Sequence, residues 1–371
     1  MTSLERFRAS LNRKSFDRIP YSFDMVSELR NKFHPLMEQF PQYDRVEDVF
    51  ECDRGFTSPQ YCGNAVRYFE DGSYTNMFGV HMRDVSFGKG SYSEAIDYPL
   101  KDIKSLDEID SYPWPAAKDF DYSHLTEQMR NKPNLPFTAG YFALGWFSWD
   151  MRGMEQFLED LLLEPELAEK IIRKVWEFGF EYYQKLIATC REEITNNFCC
   201  IHLADDWATQ ENLLISPGLF REFFKPYYRS LVELAHKENL LVEFHCCGSA
   251  VGLIPELIDI GVDILNPIQT SAKGMNPEYL KKEFGKDIAF SGGIDVQTVM
   301  PFGTPKQVKE EVFRLLDTMG KDGGYILQPS HCLQIDTPLK NIAALSQAVY
   351  EYYGVPAGSL SQIWDWCNQQ E

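Results

Sequence analysis

The stretch Leu240-Leu-Val-Glu-Phe-His-Cys-Cys-Gly-Ser249 combines a short apolar run with two kinds of metal-binding side chain. The apolar residues, ended by a glycine, predict a buried strand, in which successive side chains point to opposite faces. Glu243, His245 and Cys247 are therefore expected on one face. An imidazole and a thiolate about one strand repeat apart suit a zinc ion, which binds nitrogen and sulfur ligands. The stretch thus predicts both a strand and part of a metal site.

A third ligand for this metal must come from another part of the chain. The segment Gln328-Pro-Ser-His-Cys-Leu333 supplies Cys332 directly after a second glycine-led apolar run, Gly323-Gly-Tyr-Ile-Leu327. A His-x-Cys pair taken alone is more often a core histidine beside a buried thiol, but a cysteine at a second strand end favours a metal. His331 is as readily a structural residue, and Cys246 is expected to point away into the core.

The second half of the chain repeats a strand followed by a helix. Strands are predicted at about 199–204, 240–247, 263–266, 288–292 and 323–327. Helices are predicted to start at Ser216-Pro217, Asn276-Pro277, Thr304-Pro305 and Thr337-Pro338, where a side-chain oxygen can accept from unpaired backbone N–H groups. Repeated β-α units imply a parallel sheet, and about eight of them favour a closed (β/α)8 TIM barrel of the α/β class. No GxGxxG or Walker-type loop supports an open sheet.

The first half of the chain departs from this alternation. Residues 2–13 predict an N-terminal helical extension, and Tyr21-Ser-Phe-Asp24 predicts a strand. Residues 59–115 are rich in Gly, Tyr, Ser and Asp and predict an antiparallel insertion or lid. An amphipathic helix is expected from Pro165 to Glu193. We therefore expect residues 1–371 to form a single TIM-barrel domain with a β-rich lid inserted at about 59–115.

Composition excludes some classes of function. The net charge of −19 disfavours nucleic acid as a partner, because an acidic surface repels phosphate. No apolar run approaches the length needed to cross a bilayer, and the first residues lack a signal core, so no membrane partner is expected. Nine cysteines, an odd number, are expected as reduced thiols in a cytoplasmic protein. A monomer and a homodimer are both compatible with the sequence.

In a TIM barrel the chemistry collects at the carboxyl ends of the strands. Beside the metal candidates, the polar residues expected there are Asp24, Tyr141, Asp205, Asp206, Asn266, Gln269 and Asp295. For the two adjacent aspartates, helix capping or a loop salt bridge is an equal alternative to a role in binding.

The sequence resembles the uroporphyrinogen decarboxylase superfamily over nearly its whole length. The segments that carry this resemblance are Asp205-Asp-Trp-Ala-Thr-Gln210, Leu214-Ile-Ser-Pro217, Ile264-Leu-Asn-Pro-Ile-Gln269, Phe290-Ser-Gly-Gly-Ile-Asp295 and Gly323-Gly-Tyr-Ile-Leu327. Within the superfamily, His245-x-Cys247 and Cys332 are similar to the zinc ligands of the methyltransferases that move a methyl group from a methylated corrinoid protein to a thiol such as coenzyme M.

This resemblance implies a zinc-dependent methyltransferase, with methylcobalamin or another corrinoid as the methyl donor and a small thiol as the acceptor. Zinc would lower the pKa of the bound thiol and so supply the thiolate nucleophile. Related cobalamin-independent methionine synthases add a glutamate ligand where this chain has Gln269, so Glu243 is the candidate for a fourth, displaceable ligand or an outer partner. Asp205, Asp206 and Tyr141 are the candidates for binding the acceptor.

An aromatic loop is predicted at Gly145-Trp-Phe-Ser-Trp-Asp150. Its rings Trp146, Phe147 and Trp149 fit a barrel mouth that docks the corrinoid protein, although such rings are also ordinary residues of a core edge.

Two other classes of function stay open. A uroporphyrinogen decarboxylase needs no metal and holds substrate carboxylates with closely spaced arginines of an N-terminal motif. After Arg18-Ile-Pro20 this chain offers only Arg30 nearby, so decarboxylation ranks second. The third class is a non-catalytic barrel that binds a metal or ligand in an inherited pocket.

Overall fold

The computed structural model describes residues 1–86 and 90–370 and contains one large parallel sheet. The strands are β1 (Gly55–Thr57), β2 (Gln60–Tyr61), β3 (Tyr74–Thr75), β4 (His81–Ser86), β5 (Ser91–Asp97), β6 (Phe120–Asp121), β7 (Phe137–Phe142), β8 (Phe198–Ala204), β9 (Leu241–His245), β10 (Ile264–Ile268), β11 (Ala289–Ile294) and β12 (Tyr325–Pro329). Seven of them pair in parallel in the order β1-β7-β8-β9-β10-β11-β12.

Residues 20–26 complete the ring between the two edges of this sheet. The Ser22 amide donates to the Leu327 carbonyl over 3.1 Å on one side, and the Asp53 amide donates to the Tyr21 carbonyl over 2.8 Å on the other. The predicted α/β class and TIM-barrel architecture are therefore confirmed. The sequence did not reveal β1, because three residues without an apolar run carry no periodicity.

Helices cover the outside of the barrel and its amino-terminal end. The first nine are α1 (Ser3–Leu11), α2 (Ser27–Asn31), α3 (His34–Met37), α4 (Val46–Val49), α5 (Leu106–Ser111), α6 (Ser123–Arg130), α7 (Leu144–Arg152), α8 (Met154–Leu163) and α9 (Pro165–Thr189). The others are α10 (Arg191–Ile194), α11 (Pro217–Leu219), α12 (Lys225–Lys237), α13 (Ile254–Ile260), α14 (Pro277–Phe284), α15 (Val299–Phe302), α16 (Pro305–Leu315), α17 (Leu339–Tyr353) and α18 (Leu360–Gln369). Among the described residues, no helix is both long and apolar enough to span a bilayer.

Three of the four predicted helix starts have the expected cap. The side chains of Ser216, Asn276 and Thr304 each accept the backbone N–H group three residues later. The fourth prediction is wrong by about one residue, since Pro338 is itself the N-cap and the helix begins at Leu339.

The N-terminal helix α1 closes one end of the barrel. Its Phe7 packs among the inward-facing residues of four strands, which are Cys200, Ile264, Ala289 and Ile326. One strand repeat further along, the inward positions become polar, because His202 pairs in register with Glu243, and His245 with Asn266. The interior therefore changes from apolar to polar towards the carboxyl ends of the strands.

The inserted segment contains antiparallel strands, as predicted, with β4 pairing with both β3 and β5. The predicted aromatic loop at residues 145–150 is instead part of helix α7. Trp149 lies in the core, where its ring meets Trp207 at a centroid distance of 5.6 Å, whereas Trp146 is 41% exposed. The two rings are three positions apart and so lie on adjacent parts of the helix surface, with Trp149 inside the core and Trp146 at its exposed edge.

Candidate metal centre and active-site cavity

A cavity of about 770 Å3 opens at the carboxyl ends of the barrel strands. Its lining includes His202, Glu243, His245 and Asn266 from three neighbouring strands, and Cys332 from the loop after β12. This is the end of the barrel at which the sequence predicts the chemistry.

Three potential metal ligands meet at one side of the cavity. Asp206, His245 and Cys247 each present a ligand atom, and these atoms all lie within 4.8 Å of one another. His245 Nε2 is 3.3 Å from Cys247 Sγ and 3.8 Å from Asp206 Oδ1. The Cys247 amide donates to Asp206 Oδ1 over 2.9 Å. Imidazole nitrogen, thiol sulfur and carboxylate oxygen are the three ligand types that proteins offer to zinc, so this set fits the metal that the sequence predicts.

Asn266 fixes the orientation of the His245 ring. Its amide nitrogen donates to Gln328 and Ser291, so its Oδ1 is the atom that faces His245 Nδ1, at 2.9 Å. Oδ1 can only accept, and Nδ1 must therefore carry the proton of a neutral imidazole. This leaves the lone pair on Nε2, the nitrogen that faces Cys247 and Asp206. The predicted site residue Asn266 thus acts on the metal centre through His245.

Cys332 lines the same cavity but is not a member of the group formed by Asp206, His245 and Cys247. Burial, reinforced by the negative charge of Asp24, raises the pKa of its thiol to about 12. Of the three ligands predicted from the sequence, the structure therefore brings two into close contact, with Asp206 beside them. His331, for which a structural role was an equal alternative, also lines the cavity, and its ring lies 6.4 Å from that of His245.

Glu243 is held by a cation at the floor of the cavity. Its two carboxylate oxygens each accept from the Arg54 guanidinium over 2.9 Å, and His202 Nδ1 lies 3.1 Å from one of them. Burial alone would raise the pKa of Glu243, but attraction by Arg54 and hydrogen bonding to His202 lower it well below its usual range. Glu243 is thus an ionised partner of Arg54, and it does not join the metal-ligand group suggested for it.

Asp205 caps a helix from a distant part of the chain. Its two oxygens accept from the backbone N–H groups of Gly145 and Trp146, over 2.6 and 2.7 Å, at the start of α7. A Cβ atom at Gly145 would lie 2.2 Å from the Trp207 ring, so glycine permits this close approach. The capping alternative therefore describes Asp205, whereas its neighbour Asp206 faces the metal group.

The remaining predicted residues lie around the centre. Tyr141 lines the cavity with 41% of its surface exposed and stacks on His202 at 5.9 Å. Trp146, also at the mouth, donates its indole N–H to Asp150 over 2.9 Å. Gln269 accepts from the Gly248 amide over 2.8 Å and donates to Gln210, so both ends of its amide hold loops in place.

Sequence reasoning missed His202, Arg54 and Phe56, which line the cavity. His202 had a usable signal, because it stands two residues before the end of the buried strand β8, on the same face as Ala204. Arg54 and Phe56 gave no such signal, since Phe56 lies in the short strand β1 and Arg54 directly precedes that strand. The rings of Phe56 and His202 are perpendicular, with their centroids 5.6 Å apart.

Comparisons with known proteins agree with this architecture. A solved structure described as a methyltransferase from Methanosarcina mazei superposes with a TM-score of 0.68 at 18% identity, covering 95% of this chain and 99% of that one. A curated "Methylated-thiol--coenzyme M methyltransferase" of Methanosarcina mazei is 29% identical over 221 residues, which span 58% of this chain and about half, 51%, of that protein.

A curated uroporphyrinogen decarboxylase of Pseudomonas syringae is 24% identical over 285 residues, covering 72% of this chain and 75% of that protein. The family model described as "Uroporphyrinogen decarboxylase (URO-D)" matches residues 80–352, well over half of the sequence. Fold, site position and this match agree, and the chain belongs to the uroporphyrinogen decarboxylase (URO-D) family.

Proposed function

We propose that this protein is a zinc-dependent methyltransferase that moves a methyl group from a methylated corrinoid, carried by a partner protein, to a small thiol. The observation that carries the proposal is the 3.3 Å contact between His245 Nε2 and Cys247 Sγ at the carboxyl ends of the barrel strands. The similarity to a protein named for methyl transfer to coenzyme M supports it.

In this proposal His245, Cys247 and Cys332 hold the zinc. When bound, the metal supplies a Lewis acid that deprotonates a coordinated thiol at neutral pH. The other residues of the chain orient and enclose the reactants. Asn266 keeps the His245 ring in the tautomer that exposes Nε2. The ion pair of Arg54 with Glu243 forms a rigid polar floor beneath the cavity.

The aromatic residues at the mouth of the cavity are suited to binding a large planar methyl donor. Phe56, Tyr141 and Trp146 line it and expose 51%, 41% and 41% of their surfaces. Aromatic rings with one exposed face offer contact area at low entropic cost. We assign these rings to the docking of the corrinoid, and the acceptor thiol to the deeper part of the cavity near His202.

The test is zinc quantification and a methyl-transfer assay, with methylcobalamin and a panel of small thiols, on wild type and Cys332→Ser. Cys62→Ser is the matched control, because Cys62 is an exposed cysteine outside the cavity. We expect Cys332→Ser to lose metal and transfer together and Cys62→Ser to lose neither. Transfer that continues in metal-free protein would refute the proposal.

Decarboxylation is the alternative, and one observation favours it. Three arginines, Arg30, Arg45 and Arg54, line the cavity, two more than the sequence indicated. Each is engaged by a carboxylate, however: Arg54 by Glu243, Arg30 by Asp24 and Glu47, and Arg45 by Asp48. Cations neutralised in this way are poorly placed to bind substrate carboxylates. Release of a coproporphyrinogen-type product by zinc-free protein would favour this alternative, and zinc binding without either reaction would favour the non-catalytic barrel.

A further inference from the structure

We propose that Asp206 is itself a ligand of the metal, so that the ion is held by a carboxylate oxygen as well as by His245 and Cys247. This inference rests on the proposed function only for the presence of a metal at this site. It differs from the expectation drawn from the sequence, in which Glu243 was the candidate carboxylate and Asp206 a residue that binds the acceptor.

The distances between the three ligand atoms match those around a single ion. A tetrahedral metal with bonds of about 2.0–2.3 Å places its ligand atoms about 3.3–3.8 Å apart. His245 Nε2 lies 3.3 Å from Cys247 Sγ and 3.8 Å from Asp206 Oδ1. These two separations therefore require little movement of the side chains when an ion enters between them.

Asp206 is anchored to the strand that carries the other ligands. It follows β8, the neighbour of β9 in the sheet, and its Oδ1 accepts the Cys247 amide over 2.9 Å. The carboxylate is thus fixed relative to the Cys247 backbone, while 40% of its side chain is exposed towards the cavity. A preorganised ligand of this kind loses little conformational entropy on binding.

The other oxygen-bearing side chains near the group are already committed. Both oxygens of Glu243 accept from Arg54, and both oxygens of Asp205 cap helix α7. The Gln269 amide bridges Gly248 and Gln210. Within the described part of the chain, by contrast, no lysine or arginine forms an ion pair with Asp206, and its ionic contact is with the His245 ring. Asp206 is therefore the carboxylate that can bind a cation without breaking an existing ion pair.

Charge supports the same assignment. The Asp206 carboxylate and the cysteine thiolates are anionic as ligands, so a divalent ion offsets their mutual repulsion, and His245 adds a neutral nitrogen. Without a cation, the carboxylate and the sulfur stand within 4.8 Å of each other. A site of this composition gains more from a divalent metal than a site of neutral ligands does.

The test measures metal binding and is independent of any activity. Wild type, Asp206→Asn and Asp206→Ala are titrated with zinc, and the absorption spectrum of each cobalt(II)-loaded protein is recorded. Asparagine has the shape of aspartate and keeps an oxygen for the Cys247 amide, so this variant should fold normally. Asp295→Asn is the matched control, because Asp295 also directly follows a barrel strand but does not line the cavity.

We expect Asp206→Asn and Asp206→Ala to weaken zinc binding by more than the roughly 10- to 100-fold typical of a lost outer-sphere partner. We also expect their cobalt spectra to change, and Asp295→Asn to match wild type in both measurements. A cobalt spectrum that is unchanged in Asp206→Ala would overturn the inference, as would a wild-type protein that binds neither metal. Zinc bound through Asp206 without methyl transfer would leave this inference standing and refute the proposed function.

Discussion

The two ends of the barrel differ in whether their carboxylates are paired with cationic side chains. At the amino-terminal end Asp53 is fully buried and accepts from two guanidiniums, those of Arg6 and Arg18. At the carboxyl end Asp206 lies beside Cys247 and His245 with no arginine or lysine paired to it among the described residues.

This difference separates a structural cluster from a functional one. Ion pairs that are complete at the closed end join α1 to the first strand segments and stabilise the fold. Anionic ligands that lack a partner at the open end are favourable only when a cation binds there, so stability and metal occupancy are expected to be linked at that end alone. Four measurements test the contrast.

The largest effect is expected at the closed end. Asp53→Asn leaves Arg6 and Arg18 buried without their shared carboxylate, which should lower the free energy of unfolding by about 3–5 kcal/mol. Urea denaturation measures this loss, and zinc affinity of the folded variant should not change. If the free energy of unfolding does not change while metal binding is lost, the assignment of a structural role to the closed end and of metal binding to the open end is wrong.

Removal of the metal should lower the stability of the protein only through the ligands at the open end of the barrel. Zinc at about 100 times its dissociation constant should stabilise wild type by about 2.7 kcal/mol, and a chelator should remove that gain. Thermal unfolding with zinc and with chelator measures it. His245→Ala is the comparison variant, in which the two melting temperatures should coincide. A zinc effect that survives in His245→Ala would place the metal elsewhere.

The outer partner of the metal centre should have an intermediate effect. Asn266→Ala removes the acceptor that fixes His245 Nδ1–H, and we expect zinc affinity to fall by about 10- to 100-fold. Asn266→Asp keeps an acceptor oxygen and should restore most of the affinity. Zinc titration in the presence of a competing chelator measures both variants. Equal affinities in Asn266→Ala and wild type would show that the ring needs no such support.

The smallest effect is a pH dependence at the open end. Burial raises the pKa of Asp150 from 3.8 to about 7, opposed only in part by the Trp146 hydrogen bond. The folded state thus holds this proton more tightly than the unfolded chain, so the stabilisation is complete below about pH 4 and is lost as the pH rises through 7.

Asp150→Asn should flatten the stability profile between pH 4 and 8 by about 1 kcal/mol, less than the full shift implies because water screens a partly exposed carboxyl. Chemical denaturation at a series of pH values measures this profile. An unchanged slope in the variant would assign the pH dependence to another group.

The fold was predictable because its signals are local. The buried strands β8 to β12 and the capped helices after Ser216, Asn276 and Thr304 follow from neighbouring residues alone. Strand β1 was not predictable, since only its partner strand and the Tyr21 segment hold its three residues in place. The helix α7 was hidden for a similar reason, because its cap, Asp205, comes from 60 positions later in the chain.

The site was predictable where its residues share one strand. His245 and Cys247 were found together, and they stand 3.3 Å apart. The carboxylates were harder to assign, because a sequence shows which acids end near the barrel rim and not which cations reach them. Arg54 lies 189 positions from Glu243, and that pairing decides which acid is engaged and which remains beside the metal group.

The hydrogen bonds that join Ser22 to Leu327 also bear on how the chain reaches its native state. They link the first strand segment to β12, so the ring cannot close until the chain has been synthesised as far as Leu327. Until then both margins of the growing sheet present unpaired amides and carbonyls, which makes the nascent protein prone to association with other chains. Pairing of Ser22 with Leu327 therefore removes the last exposed strand edges of the barrel sheet.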